Sequence, residues 1–172
     1  QCGYLIRKGI NPESNPQKDT YQMQPGILLR LAEFYLNYAE ALNEYNYSDN
    51  KTEIVKYLNM VRERAGIPTF GTEAGQIAIP TDQDAMREVI RRERRVEFAA
   101  EGDVRYNDVR RWKIAENIFK TPIMGMDRTK SDNSFYKRTE YMSRKFEKKN
   151  YLRPIYQTHM DNNPNLIQNK FW

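Results

Sequence analysis

Between residues 27 and 45 apolar side chains recur every three or four positions. Leu28, Leu31, Ala32, Tyr35, Tyr38, Ala39 and Leu42 fall on one face of a helix with that period. Ala32 and Ala39 are small, so a second helix can approach closely there. Residues 46–50 are polar and turn the chain. Asn50 with Glu53 fits an N-cap paired with an acid at the third helical position. A second helix then runs to about residue 65, with Ile54, Leu58, Val61 and Ala65 inward, and Gly66 and Pro68 end it. The pattern predicts an antiparallel helical hairpin over 27–66, like one tetratricopeptide unit. Such a unit needs packed neighbours to cover its apolar face.

The rest of the chain is less regular. Residues 3–10 alternate loosely and read as a strand. Residues 11–26 hold three prolines and read as a loop. Thr81 or Asp82 caps a third helix, 84–100, whose apolar stripe is Met86, Val89, Ile90, Val96 and Ala100 before Gly102 breaks it. A further helix, 105–119, carries Val109, Trp112, Ala115 and Phe119, so 82–119 forms a helix pair. Residues 120–172 read as an irregular, extended closing segment with hairpin strands around 135–141. The expected class is mainly α, with helical hairpins, irregular loops and a few short strands.

Charge sharpens this picture only a little. The 28 basic residues exceed the 23 acidic ones by five, but the two signs are interspersed. Seven arginines lie between Arg91 and Trp112, yet Glu88, Glu93, Glu97, Glu101, Asp103 and Asp108 interrupt them. A nucleic-acid face would keep its basic residues together, so no nucleic-acid partner is expected. Glu93 lies between Ile90 and Val96 on the inward stripe. A carboxylate there needs a partner, and arginine supplies a planar pair of donors. We therefore expect a structural ion-pair network of Glu93, Arg94, Glu97 and Glu101, with Arg110 and Arg111 returning on the next helix to meet Glu93.

Candidate catalytic chemistry is sparse. Glu93, Glu97 and Glu101 share a helix face, but a glycosidase pair must hold a sugar between its two carboxyl groups. Di-metal bundles use Glu-x-x-His motifs, and none is present. His159 is the only histidine, with no nucleophile beside it in sequence. Cys2 is the only cysteine, which excludes an internal disulfide and a cysteine metal cage. No phosphate loop occurs, so the chain is expected to be no enzyme and to need no cofactor or metal. No run of about 18 apolar residues is present, as a membrane-crossing helix would require. The 21 aromatic residues are a better lead, because Tyr and Trp offer flat faces to sugars and proteins. Tyr35 and Tyr38 read as core; Phe135, Tyr136 and Tyr141 lie in the irregular region.

Several stretches together resemble the SusD/RagB family. "ILLRLAEFYLNYAEALNEY" is similar to its R-x-A-E-x-x-L-x-Y-A-E-A helix, matched at Arg30, Ala32, Glu33, Leu36, Tyr38, Ala39, Glu40 and Ala41. "LNMVRERAGIP" resembles its N-x-V-R-x-R-A-G helix end, and "VIRRERRVEFAAEG" with "DVRRW" resembles its paired arginine–glutamate motifs. "YLRPIYQTHMDNNPNLIQN" resembles its closing signature, with Tyr156 where proline is usual and His159 where an acid is usual. The resemblance implies the C-terminal part of one SusD-like domain on a tetratricopeptide-like scaffold. It implies a non-catalytic lipoprotein on the outer-membrane surface of Bacteroidetes-type bacteria, anchored upstream of this stretch, with Cys2 falling mid-protein. It further implies capture of oligosaccharide, or in some relatives peptide, for a SusC-like TonB-dependent transporter. It carries no ligand-contacting residue onto this stretch. A helical scaffold that binds only protein is the other reading these residues permit.

Overall fold

The computed structural model describes residues 6–23 and 26–172. The described residues form two compact units, one within 8–101 and one from residues 6–7 with 102–172.

The 8–101 unit is built on helix α1, Leu31–Arg64, and helix α2, Gln83–Glu97. Inside α1 the backbone leaves helical geometry at one residue, Asn46, with φ −166° and ψ 100°. The chain doubles back there: Tyr57 packs against Tyr35 and Tyr38, with ring centroids 5.4 and 5.0 Å apart. The hairpin predicted over 27–66 thus has a first arm at 31–45 and a second at 47–64. Its hinge lies four residues before the predicted cap. Asn46 accepts from Asp49 N–H (3.2 Å) and so caps the second arm, while Asn50 lies within that arm and donates to Asn46 C=O (2.7 Å). Both asparagines precede an acid by three residues, so the motif alone does not choose between them. Tyr47 chooses: with the arm starting there, Tyr47, Ile54, Leu58 and Val61 all turn inward and are at most 7% exposed. Its hydroxyl donates to Pro80 C=O.

The first arm is rotated from the expected phase. Ala32, Leu36, Ala39, Asn43 and Tyr47 are buried, whereas Leu28, Leu31 and Tyr38 are exposed. This helix is apolar on more than one side, so period alone does not orient it; the small side chains of Ala32 and Ala39 face inward as close packing requires. The predicted start at residue 27 also shifts. Arg30 is extended (φ −143°) at the helix N-cap, and Ile27, Leu28 and Leu29 precede the helix.

The second arm ends in a Schellman motif. Ile67 N–H reaches Arg62 C=O (3.1 Å), Gly66 N–H reaches Glu63 C=O (3.0 Å), and Gly66 takes φ 68°. Asn59 then clamps the following loop by both backbone groups of Phe70, at 2.9 and 2.8 Å.

Asp82 caps α2 by accepting from Ala85 N–H (2.9 Å). Asn43 and Gln83 exchange hydrogen bonds, each side-chain amide donating to the other's backbone carbonyl (3.2 and 2.6 Å), and so fasten this end to α1. Met86 and Ile90 enter the core as predicted, but the next inward places go to Glu93 and Arg94. Val96 is 64% exposed. The helix stops at Glu97, short of residue 100, where Phe98 is buried and Ala100 adopts φ 61°. Of the predicted strand at 3–10, residues 3–5 lie outside the described residues. The remainder forms a turn at Gly9, whose φ of 75° no strand accommodates.

In the second unit the helix expected over 105–119 is two: α3, Val104–Arg111, and α4, Ala115–Lys120. The break is at Lys113, with φ 58°. Val109 and Ala115 are both fully buried. Six residues apart on one straight helix they would point roughly 120° away from each other. Strand β1, Ile123–Met126, pairs antiparallel with β2, Arg138–Met142. Between them Asp127 and Asp132 accept from the N–H groups of Thr129 and Ser134 at 3.0 and 2.9 Å, making two Asx turns. The closing segment carries a short helix, α5, Gln157–Asn162. Gln168 brackets Ile155 with two hydrogen bonds of 2.8 and 3.0 Å, and Trp172 Nε1 donates to Lys149 C=O and Leu152 C=O (2.9 and 3.0 Å). The tail is therefore extended but anchored.

Candidate functional site

Two groupings stand out, one in each unit. In the 8–101 unit the carboxylates of α2 and the turn after it face the hairpin. Glu93, 8% exposed, is bound by the equally buried Arg62 of the second arm. Arg62 also donates through Nε to Pro68 C=O (2.6 Å), and its guanidinium lies 4.8 Å from the Phe70 ring centroid. Arg94 donates to Asn37 Oδ1 and lies 3.8 Å from Glu40. Glu97 receives Arg30 and, at 2.5 Å, Arg64. Glu101 receives Arg30 at 2.8 Å, and Lys8. Arg30 and Arg94 also stack on Phe98.

The structure thus engages Glu93, Arg94, Glu97 and Glu101 within one unit. The partner it gives Glu93 is Arg62. Arg110 and Arg111, named for that role from the sequence, belong to the other unit, where Arg110 donates to Tyr151 C=O and Arg111 to Asp108. Arg62 continues the four-residue inward spacing of Ile54 and Leu58, a signal available in the sequence. Arg30 and Lys8 had none, since each depends on where the chain folds back.

Burial pushes the Glu101 carboxyl upward, but hydrogen bonds from Arg30 and Lys8, with their charges, outweigh it and set it below its ordinary value of 4.5. Because the folded value is depressed, the stabilisation from Glu101 is present above about pH 4.5 and is lost as pH falls through the folded value. Glu101→Gln is expected to flatten the acid limb of a stability-against-pH curve while leaving its slope above pH 6 unchanged. Urea midpoints across pH 3–7 test this; parallel curves for the two proteins would refute it.

The 102–172 unit gathers aromatic rings. Phe146 packs against Phe119 (5.5 Å), Tyr151 (4.9 Å) and Tyr106 (6.5 Å), and Arg144 covers Phe119 at 4.9 Å. Beside Tyr151 opens a pocket of about 390 Å³ walled by Tyr151, Leu152 and Phe171, with Lys113, Lys148, Lys170 and Glu116 around it. The Tyr151 hydroxyl is buried and has no hydrogen-bond partner among the described residues. Of the aromatics singled out in the irregular region, Tyr136 and Tyr141 are 70% and 44% exposed, and Phe135 is half-buried. His159 is exposed on α5 beside Tyr156. Among the described residues no three His, Cys, Asp or Glu side chains gather as a metal set, and no helix is long and apolar enough to cross a membrane.

The comparisons with known proteins agree with one another. The sequence profile of the SusD family matches residues 1–172. SusD-like protein P2 of Formosa agariphila is 38% identical over 93 residues, which are 54% of this chain and 18% of that protein. SusD-like protein P25 of the same organism is 42% identical over 92 residues, 54% of this chain and 16% of that protein. A solved SusD-like protein of Bacteroides fragilis superposes with a TM-score of 0.66 at 35% identity, covering 85% of this chain and 26% of its own. A second solved B. fragilis protein, described as a SusD-like carbohydrate binding protein, gives 0.65 at 29% identity, covering 86% of this chain and 30% of its own. The chain spans less than a third of the length of each of these relatives. A profile match along the whole chain and two folds superposed over most of it lead to one conclusion: the chain belongs to the SusD family.

Proposed function

We propose that the protein carrying this chain binds oligosaccharide at the cell surface, without transforming it, and delivers it to a SusC-like TonB-dependent transporter. The observation that carries this reading is the superposition on a B. fragilis protein described as a SusD-like carbohydrate binding protein. Binding without catalysis suits the chemistry. Glu93, Glu97 and Glu101 are each engaged by basic side chains, which brace α2 and the turn after it. The exposed rings of Tyr136 and Tyr156 offer faces on which sugars stack. In this reading the protein lies on the extracellular face of the outer membrane, held by a lipid anchor upstream of the present stretch.

The test has two arms. Affinity electrophoresis of the whole protein through gels containing single polysaccharides should show retardation by at least one of them, with no new reducing ends produced. Extraction of the tagged protein from native outer membranes should bring a TonB-dependent transporter with it. Retardation by no polysaccharide, with tight binding of peptides, would replace the glycan reading by peptide capture. Binding of neither class, and no transporter, would leave a protein-binding scaffold.

A further inference from the structure

We infer that the pocket walled by Tyr151, Leu152 and Phe171 binds an anionic sugar ring, its acidic group, a carboxylate or a sulfate ester, held by Lys113, Lys148 and Lys170. This rests on the glycan-binding reading above and gives it a place and a ligand class.

The size is suitable. About 390 Å³ lies within the range of small-molecule sites, roughly 300–1,000 Å³, and admits a monosaccharide ring. The walls are apolar and aromatic, as the C–H face of a pyranose requires. The charge around them is unbalanced: three ammonium groups face one carboxylate, Glu116. Neighbouring lysines differ in having an acid partner: Lys145 and Lys149 both reach Glu147, at 2.7 and 3.4 Å. Lys113, Lys148 and Lys170 make no ion pair among the described residues. Two of them are held at aromatic faces, Lys113 Nζ 4.6 Å from the Tyr151 ring centroid and Lys170 Nζ 5.2 Å from that of Phe171.

The backbone is also unusual there. Lys113 and Phe171 both adopt left-handed geometry (φ 58° and 76°) although neither is glycine, and both line this pocket. Lys113 takes this geometry as the residue after the α3 cap, closing a Schellman turn in which its N–H reaches Arg110 C=O and Ile114 N–H reaches Val109 C=O, both at 3.0 Å. A compact ammonium binds an anionic group such as a carboxylate or a sulfate ester as a point charge.

The experiment is calorimetric titration of the whole protein with three probes: oligogalacturonate for the carboxylate source, oligosaccharides of a sulfated galactan for the sulfate source, and maltohexaose as a neutral control. One anionic probe should bind while maltohexaose does not. The variant Lys113→Gln/Lys148→Gln/Lys170→Gln should bind that probe about tenfold more weakly or worse, and the wild-type affinity should fall with added salt. Lys148→Glu alters one exposed side chain, and should show the same direction if the triple variant melts early. Undiminished anionic binding in both variants would overturn the pocket assignment and leave glycan binding standing. Binding of maltohexaose alone would overturn the ligand class and also leave glycan binding standing. Binding of no saccharide, here or in the gels, would overturn both.

Discussion

Replacing Glu93 with alanine is expected to destabilise the 8–101 unit by about 3 kcal/mol or more. The size comes from what is left behind. Arg62 is only 8% exposed, and its guanidinium is enclosed by Glu93, Pro68 C=O and the Phe70 ring. Without Glu93 a buried cation loses its counter-charge, which costs far more than an exposed pair contributes. The pair and its loss are separable by experiment. Arg62→Met keeps much of the apolar stem, so Glu93→Ala/Arg62→Met should be clearly more stable than the sum of the two single changes. Urea unfolding of the four proteins gives the coupling. Strict additivity, or a Glu93→Ala midpoint equal to the parent's, would sink the claim that this pair is buried and mutually dependent.

Ile90→Ala should cost about 2–4 kcal/mol, and Val96→Ala should stay within about 0.5 kcal/mol. Ile90 is 1% exposed, so truncation there removes buried methylenes and opens a void. Val96 is 64% exposed. The comparison matters because the apolar pattern of α2 assigns both residues to the core. Thermal or urea midpoints of the two variants test the difference, and a Val96→Ala loss matching that of Ile90→Ala would show that Val96 is covered in the intact protein.

These two residues also show what the sequence can convey. α2 is so polar that its few apolar residues invite being joined into one stripe, and Val96 is drawn in. The actual inward row is completed by Glu93 and Arg94, whose burial depends on partners far along the chain. α1 poses the opposite difficulty. It has too many apolar residues, so the face was legible only through its alanines. The hairpin and the glycine end at Gly66 rest on local rules and were readable, as was the Asp82 cap. The hinge was not, because Asn46 and Asn50 carry the same signal and Tyr47 settles the choice by tertiary burial. Helix α5 and strand β1 had weak patterns of their own. Their neighbours hold them, through Gln168 across the tail and the register of β2. Of the site in the 102–172 unit the sequence offered aromatic content alone. The pocket unites residues 113, 148 and 170, which no spacing rule connects.

Arg62 has a consequence for cooperativity. It gives its carbonyl to the Schellman turn, its Nε to Pro68 and its Nη1 to Glu93. Helix end, exit loop and packing of α2 therefore share one side chain and its backbone. The hydrogen-bonded amides of Gly66, Ile67, Phe70 and Gly71, which would fray early in an ordinary surface loop, should exchange with solvent mainly when α2 itself lifts away. The loop and the three-helix core then form one unfolding unit, and a ligand or neighbour that tightened α2 would quieten the loop without touching it.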